Sequence, residues 1–213
     1  GLSNTNYSGK GGDSQRFVSK ADDDDVIENT AIIQIKKRYI LTSVKSGLMI
    51  IDQKRAHERI LFDHFIALIS DRKAVTQKSL FPVNIELDAG DSEILTDMIP
   101  QLKSMGFDIG EFGKYTFVVN GVPADMKTDD IKSVIESMIE HYREETGDIK
   151  SNNEARIALS LAKAAAINYG KYLTEIEMRN IIDRLFSSGQ PKYTADGKLV
   201  IHILSLEELN KIF

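Results

Sequence analysis

Two runs rich in β-branched and aromatic residues, AIIQI (31–35) and RYILTSV (38–44), are followed across the short turn Lys45-Ser46-Gly47 by a third, GLMIID (47–52). Parallel pairing needs a crossover of about a dozen residues or more, and these connections leave no room for one, so the opening of the folded part is confined to antiparallel strands. Directly after them Asp52 stands where an N-cap belongs. QKRAHERILFDHFIALIS then places Ala56, Ile60, Leu61, Phe65 and Leu68 at the spacing of one buried helix face. Further on, FPVNIEL alternates as a strand. Asp91 is the expected cap of a helix over EILTDMIPQLKSMG, with Pro100 expected to kink or break it. FDIGEFG and KYTFVVNG read as two short strands, and TDDIKSVIESMIEHYREE sets Ile131, Val134, Ile135, Met138, Ile139 and Tyr142 on one helical stripe.

The last part is the best punctuated. ARIALSLAKAAAIN is an alanine-rich helix with Gly170 as its expected stop, and Thr174 with Glu177 forms a capping box for EIEMRNIIDRLF. KLVIHIL is a strand, and Ser205 with Glu208 forms a second box that opens a short final helix. Strands and helices cluster without a βαβ rhythm, which predicts an α+β fold.

Composition removes several function classes. The chain has 213 residues and no cysteine, which excludes a disulfide framework, a thiolate metal site and a cysteine nucleophile. The absence of cysteine also fits a reducing, cytoplasmic setting. A net charge of −5 supplies no global attraction for nucleic acid, so direct DNA binding is expected to be weak or absent. The small basic clusters Lys36-Lys37-Arg38 and Lys54-Arg55 would give phosphate weak assistance at most. No apolar run approaches the length of a membrane span. Residues 1–29, rich in Gly, Ser, Asn and Asp with carboxylates at positions 22–25, read as a linker end. The start at Gly1, without a signal-peptide pattern, reads as a piece of a longer protein.

Taken together, GLMIIDQKRAHERILFDHF, SLAKAAAINYG and YTADGKLVIHILSLEELNKIF resemble the C-terminal dimerisation region of MutL DNA mismatch-repair proteins, over roughly residues 29–213. The resemblance implies a discontinuous dimerisation subdomain from 30–75 and 151–213, a mostly antiparallel sheet with helices. A second α+β regulatory subdomain would be inserted at 76–150. It implies a homodimer that holds two N-terminal ATPase arms together and works with a MutS-type mismatch-recognition protein and the replication sliding clamp, associated with the nucleoid during repair. The apolar faces of the helices at 155–168 and 174–186 are the candidate dimer contacts.

Many members of this family carry a metal-dependent nicking endonuclease marked by a DQHA motif, two following glutamates, an ACKAA-type helix and a CPNGRP-type turn. This chain keeps Asp52, Gln53 and Glu58, but Lys54 replaces the motif histidine and Asp63 stands for the last glutamate. Ala162 and Thr194 take the cysteine positions. An ammonium and a methyl cannot hold a cation, so the expectation is no catalytic residue, no metal and no cofactor here. Asp52 is then an N-cap, and Glu58 and Asp63 are ordinary first-turn or solvent-face carboxylates. The alternative is an all-oxygen site using Asp52, Glu58 and Asp63 in catalysis and Glu58, Asp63 and Asp196 around manganese or magnesium, with His57 or His202 completing it. His141 and Glu145, one helical turn apart, read as a solvated face. Gln77, Leu80 and Pro82 fit the Q-x-x-[LI]-x-P pattern by which the family docks on the sliding clamp; the plain reading is the start of a strand.

Overall fold

The computed structural model describes residues 31–71, 74–124, 126, 130–145 and 152–213; the stretch 1–29 with its carboxylate run lies outside them. The three opening runs become β1 (Ile32–Ile35), β2 (Tyr39–Val44) and β3 (Gly47–Asp52), an antiparallel meander. From the far end of the chain β7 (Ile201–Ser205) pairs antiparallel with β3, giving the order β1-β2-β3-β7. Gly47 is required at this junction, because a Cβ there would lie 2.1 Å from the Leu204 carbonyl oxygen.

The period of two gives this sheet two faces. Ile40 and Ile51 pair in register with Ile201, and Thr42 and Met49 with Ile203; these point into the core. Against them pack Ala56 and Ile60 from the first half of α1 (Gln53–Asp71), and Met178, Ile181, Ile182 and Leu185 from α5 (Glu175–Phe186). Thr174 and Glu177 make the expected reciprocal capping box on α5, and Ser205 and Glu208 repeat it on α6 (Leu206–Asn210).

The second half of α1 enters a different core. Phe65 and Ile69 pack with residues of a second antiparallel sheet, β4 (Thr76–Glu86), β5 (Asp108–Gly113) and β6 (Thr116–Pro123), in the order β4-β6-β5. Three helices close it: α2 (Ala89–Ser104), α3 (Ile131–Glu144) and α4 (Asn153–Ala165). The Arg156 guanidinium, stacked 3.6 Å from the Tyr142 ring centroid, also donates to the Tyr142 carbonyl and ties α4 to α3. Both sheets are antiparallel and the fold is α+β, as the clustered elements predict.

Three local expectations are corrected. The cap of α2 is Asp88, not Asp91: the Asp88 carboxylate accepts from the Asp91 amide at 2.8 Å, and Gly90, a poor helix former, conceals the true start. Pro100 does not break α2, which continues through it to Ser104; it sits on the solvent face. Helix α4 stops at Ala165, ahead of Gly170, because Ala166 is extended and the Ile167 amide donates to His57 Nδ1 at 3.0 Å. Gly170, at φ 90°, instead lets its amide reach the Lys37 carbonyl at 3.0 Å.

Candidate functional site

Where the endonuclease motif would lie, the chain's own groups are bonded to one another. Asp52 caps α1: its Oδ1 accepts from the amides of Lys54 and Arg55, each at 3.1 Å. Its Oδ2 accepts from the Tyr169 hydroxyl at 2.8 Å. Burial, and then this bond and the Asp52 charge, push the Tyr169 phenol up to about 12. Gln53 is fully buried, and its Nε2 donates to the carbonyls of Lys37 at 3.0 Å and Lys171 at 3.3 Å. Its Oε1 accepts from Gln34 Nε2 at 2.7 Å, and Gln34 Oε1 accepts from the Leu173 amide at 3.2 Å. One amide side chain thus joins the β1–β2 turn to the segment entering α5. On the next turn His57 is held neutral: burial, then the charges of Arg184 and Lys171, bring its imidazole down to about 4.

Glu58, placed by the sequence on a first-turn or solvent face, is buried, and burial raises its carboxyl above the ordinary range against the pull of Lys54, Lys163 and Lys198. Asp196 adds to that rise. Asp63 faces elsewhere, in a bidentate pair with Arg59 at 3.0 and 2.5 Å. His202 projects from the outer face of β7, opposite Ile50.

At the centre of this polar neighbourhood is Lys163. Its ammonium lies 2.9 Å from Glu145 Oε2 and 3.0 Å from Asp196 Oδ2, and all three side chains are largely buried. Lys198 reaches the same Asp196 oxygen at 3.0 Å, and Thr194 Oγ1 donates to Oδ1 at 2.5 Å. Burial opposes ionisation of Asp196, but the bonds from Thr194, Lys163 and Lys198 outweigh it and hold the carboxyl well below the usual carboxylate range. Burial likewise disfavours the Lys163 charge, and the bonds to Glu145 and Asp196 more than restore it. Glu145 is therefore not on a solvated helix face: α3 ends there, and its side chain turns inward. The sequence offers Glu145 only as part of a solvated face and does not single out Lys163; the available signal for Lys163 was a lysine set among the small apolar residues of α4.

This donor set does not fit a divalent cation. Ammonium groups already answer Asp196 and surround Glu58, and Asp63 is turned to Arg59. Among the described residues no group of three or more His, Asp or Glu is arranged to hold a metal ion.

The segment 77–82 lies within β4, and it departs from the ladder. Gln77 pairs with Val122 and Lys78 with Gly121, after which pairing resumes only at Val83 with Val119. Residues 79–82 form a bulge on this edge strand, pinned by the Ser79 hydroxyl, which donates to the Phe81 carbonyl at 2.6 Å and accepts from its amide at 3.2 Å. Leu80 is 91% exposed and Phe81 82%.

A larger apolar surface lies on the outer face of the first sheet. Ile33, Leu41, Ile50 and His202 form one row across its strands, Ser43, Leu48 and Leu204 another, and Ile35 lies opposite Tyr39. None of them is buried, and Ile33 and Ile35 are exposed. By contrast the apolar faces of α4 and α5, the candidate dimer contacts from sequence, are packed into the two cores.

A family model described as the MutL C terminal dimerisation domain matches residues 32–173. The DNA mismatch repair protein MutL of Bacteroides fragilis is 40% identical over 189 residues, covering 88% of this chain and 30% of that protein. Its counterpart in Phocaeicola vulgatus is 42% identical over 180 residues, 84% of the chain and 29% of the relative. That of Chlorobaculum tepidum is 35% identical over 182 residues, 85% and 29%. The chain thus spans about 30% of the length of the curated relatives it matches.

Proposed function

This chain belongs to the family of MutL C-terminal dimerisation domains, and from that premise we propose that it joins two copies of a mismatch-repair protein through the open face of its first sheet. The observation that carries this is the row of Ile33, Leu41 and Ile50 with Leu48 and Leu204 beside it, an aliphatic face that no described element covers. A two-fold contact there is self-complementary, and pairing two such faces is how sheets bury apolar surface at about 10 Å spacing. The expected division of labour follows the family resemblance: segments 30–75 and 151–213 dimerise, and 76–150 is the inserted regulatory part. The dimer keeps two ATPase arms close in the cytoplasm, alongside a MutS-type partner. The bulge with Leu80 and Phe81, flanked by Gln77 and Pro82, docks on the sliding clamp as an extended apolar segment.

Incision of DNA falls to another enzyme in this reading, because the carboxylates of a possible metal site are engaged with Lys163, Lys198 and Arg59. Manganese-dependent nicking of supercoiled plasmid that disappears in Glu58→Ala would overturn that part. Dimerisation is tested by Ile33→Asp combined with Ile50→Asp. Light scattering at micromolar concentration should give a dimer for the parent chain and a folded monomer, by circular dichroism, for the variant. A variant that stays dimeric removes the open face from the proposal.

A further inference from the structure

The bulge of β4 takes up more chain than the ladder beside it. Between the pairs Lys78 with Gly121 and Val83 with Val119, residues 79–82 stand against the single Asn120 of β6. In a regular strand successive side chains alternate between faces, and one of these residues would turn inward over the rim of the second core. Here Leu80 and Phe81, the apolar residues of the stretch, are carried out into solvent.

Beside the bulge lies a notch of about 260 Å³ between β4, β6 and the first residue of α3. Its apolar lining is Val83, Val119, Val122, Met126 and Ile131, and Gln77, Lys78 and Ser79 form the polar part of its wall. Val119 and Ile131 belong to the second core, and Val83, Val122 and Met126 are partly buried against it. Gly121 also borders the notch, and a Cβ there would lie 2.7 Å from Thr76 Cγ2, so this position supplies no side chain to fill it. The exposed form of the bulge is pinned by the Ser79 hydroxyl, which bonds the carbonyl and the amide of Phe81. Such a bond contributes little in water, and burying one leucine side chain is a gain of the same order. Two arrangements of the bulge are therefore close in free energy.

We propose that Leu80 alternates between solvent and this notch, so that the bulge is a latch that hides and presents its own docking residue. The inference rests on the reading of this segment as the one that docks on the sliding clamp. With Leu80 inside, the stretch from Gln77 to Pro82 lacks the side chain that would fill a pocket on the partner. The partner then binds only the open molecules, and apparent affinity falls in that proportion. Turning Leu80 inward draws the Phe81 backbone off the Ser79 hydroxyl, so the Ser79 bonds oppose the latch and the apolar lining of the notch favours it.

Two substitutions move the latch in opposite directions. Val122→Phe fills the notch and holds Leu80 out, whereas Ser79→Ala removes the pin and lets Leu80 in. With open and latched molecules about equal in number, sliding-clamp affinity should rise about twofold in the first variant and fall about threefold in the second. Methyl NMR of the chain without the clamp reads the position of Leu80 directly. Nuclear Overhauser contacts from the Leu80 methyls to those of Val119 and Ile131 should be present in the parent chain, stronger in Ser79→Ala and lost in Val122→Phe. Absence of these contacts from both the parent chain and Ser79→Ala would overturn the latch, whether or not the clamp binds. So would clamp affinity that is the same in the parent chain and in both variants. Contacts that respond as expected, in chains that do not bind the clamp at all, would keep the latch and end the docking reading.

Discussion

The start of α1 and the bulge of β4 both carry residues that the family resemblance singles out, and they are built in opposite ways. At the start of α1, Asp52 and Gln53 are buried, and each bonds groups from other parts of the chain. Lys163 and Asp196 complete the neighbourhood with ion pairs at 3.0 Å. In the bulge, Leu80 and Phe81 stand in solvent, and the described bonds of residues 79–82 are largely to each other. A motif residue buried among partners serves the fold first, whereas one that the fold exposes without needing it is available to a partner. Substitutions in the first region should therefore read out as stability, and those in the second as binding.

The largest expected effect is Lys163→Ala. It leaves Glu145 and Asp196 buried beside each other without the ammonium that bridges them, and should lower unfolding free energy by about 3–5 kcal/mol. Denaturant titration measures this, and a change below about 1 kcal/mol would show that the cluster is better hydrated than its burial implies.

Next is a pH effect at His57. Its imidazole is down at about 4 when folded and near its ordinary 6.5 when unfolded. Between these values the unfolded chain binds a proton that the folded chain refuses, so stability is full above about 6.5 and falls as pH drops towards 4. The loss amounts to about 3 kcal/mol at most. It should be missing from His57→Gln, whose amide oxygen can still accept from Ile167 but does not titrate. An identical pH profile for parent and variant would place the acid sensitivity elsewhere.

The smallest effect on stability belongs to Leu80→Ser plus Phe81→Ser, within about 0.5 kcal/mol because both side chains are already in water. The same variant should lose sliding-clamp affinity by at least about tenfold in surface plasmon resonance. Retained affinity would end the docking proposal, and a large loss of stability would blur the contrast between the two regions.

Much of this architecture was legible as a pattern. The short connections gave the antiparallel opening, the 3.6-residue stripes gave α1 and α3, and the two Ser/Thr-x-x-Glu boxes fixed where α5 and α6 begin. Helix ends were less legible where a distant group decided them: α4 stops at Ala165, just before His57 takes the Ile167 amide and five residues before the first glycine that could have marked it. Lys54, Ala162 and Thr194, at the positions where the resemblance expects metal ligands, were visible, yet what surrounds them was not, since Glu145, Lys163 and Asp196 come from separate parts of the chain.

By itself, then, the sequence determined the kind of element at each place, the α+β class and the family. Periodicity and capping are local, so a single chain displays them without reference to its fold. Only the tertiary structure decided which apolar faces would be used up. The stripes of α4 and α5 looked as available as any strand face, and packing buried them while leaving the outer face of the first sheet open. A hydrophobic pattern states that a face must be covered. What comes to cover it depends on elements far away in the chain, and at that open face the proposed cover is a second copy of the chain.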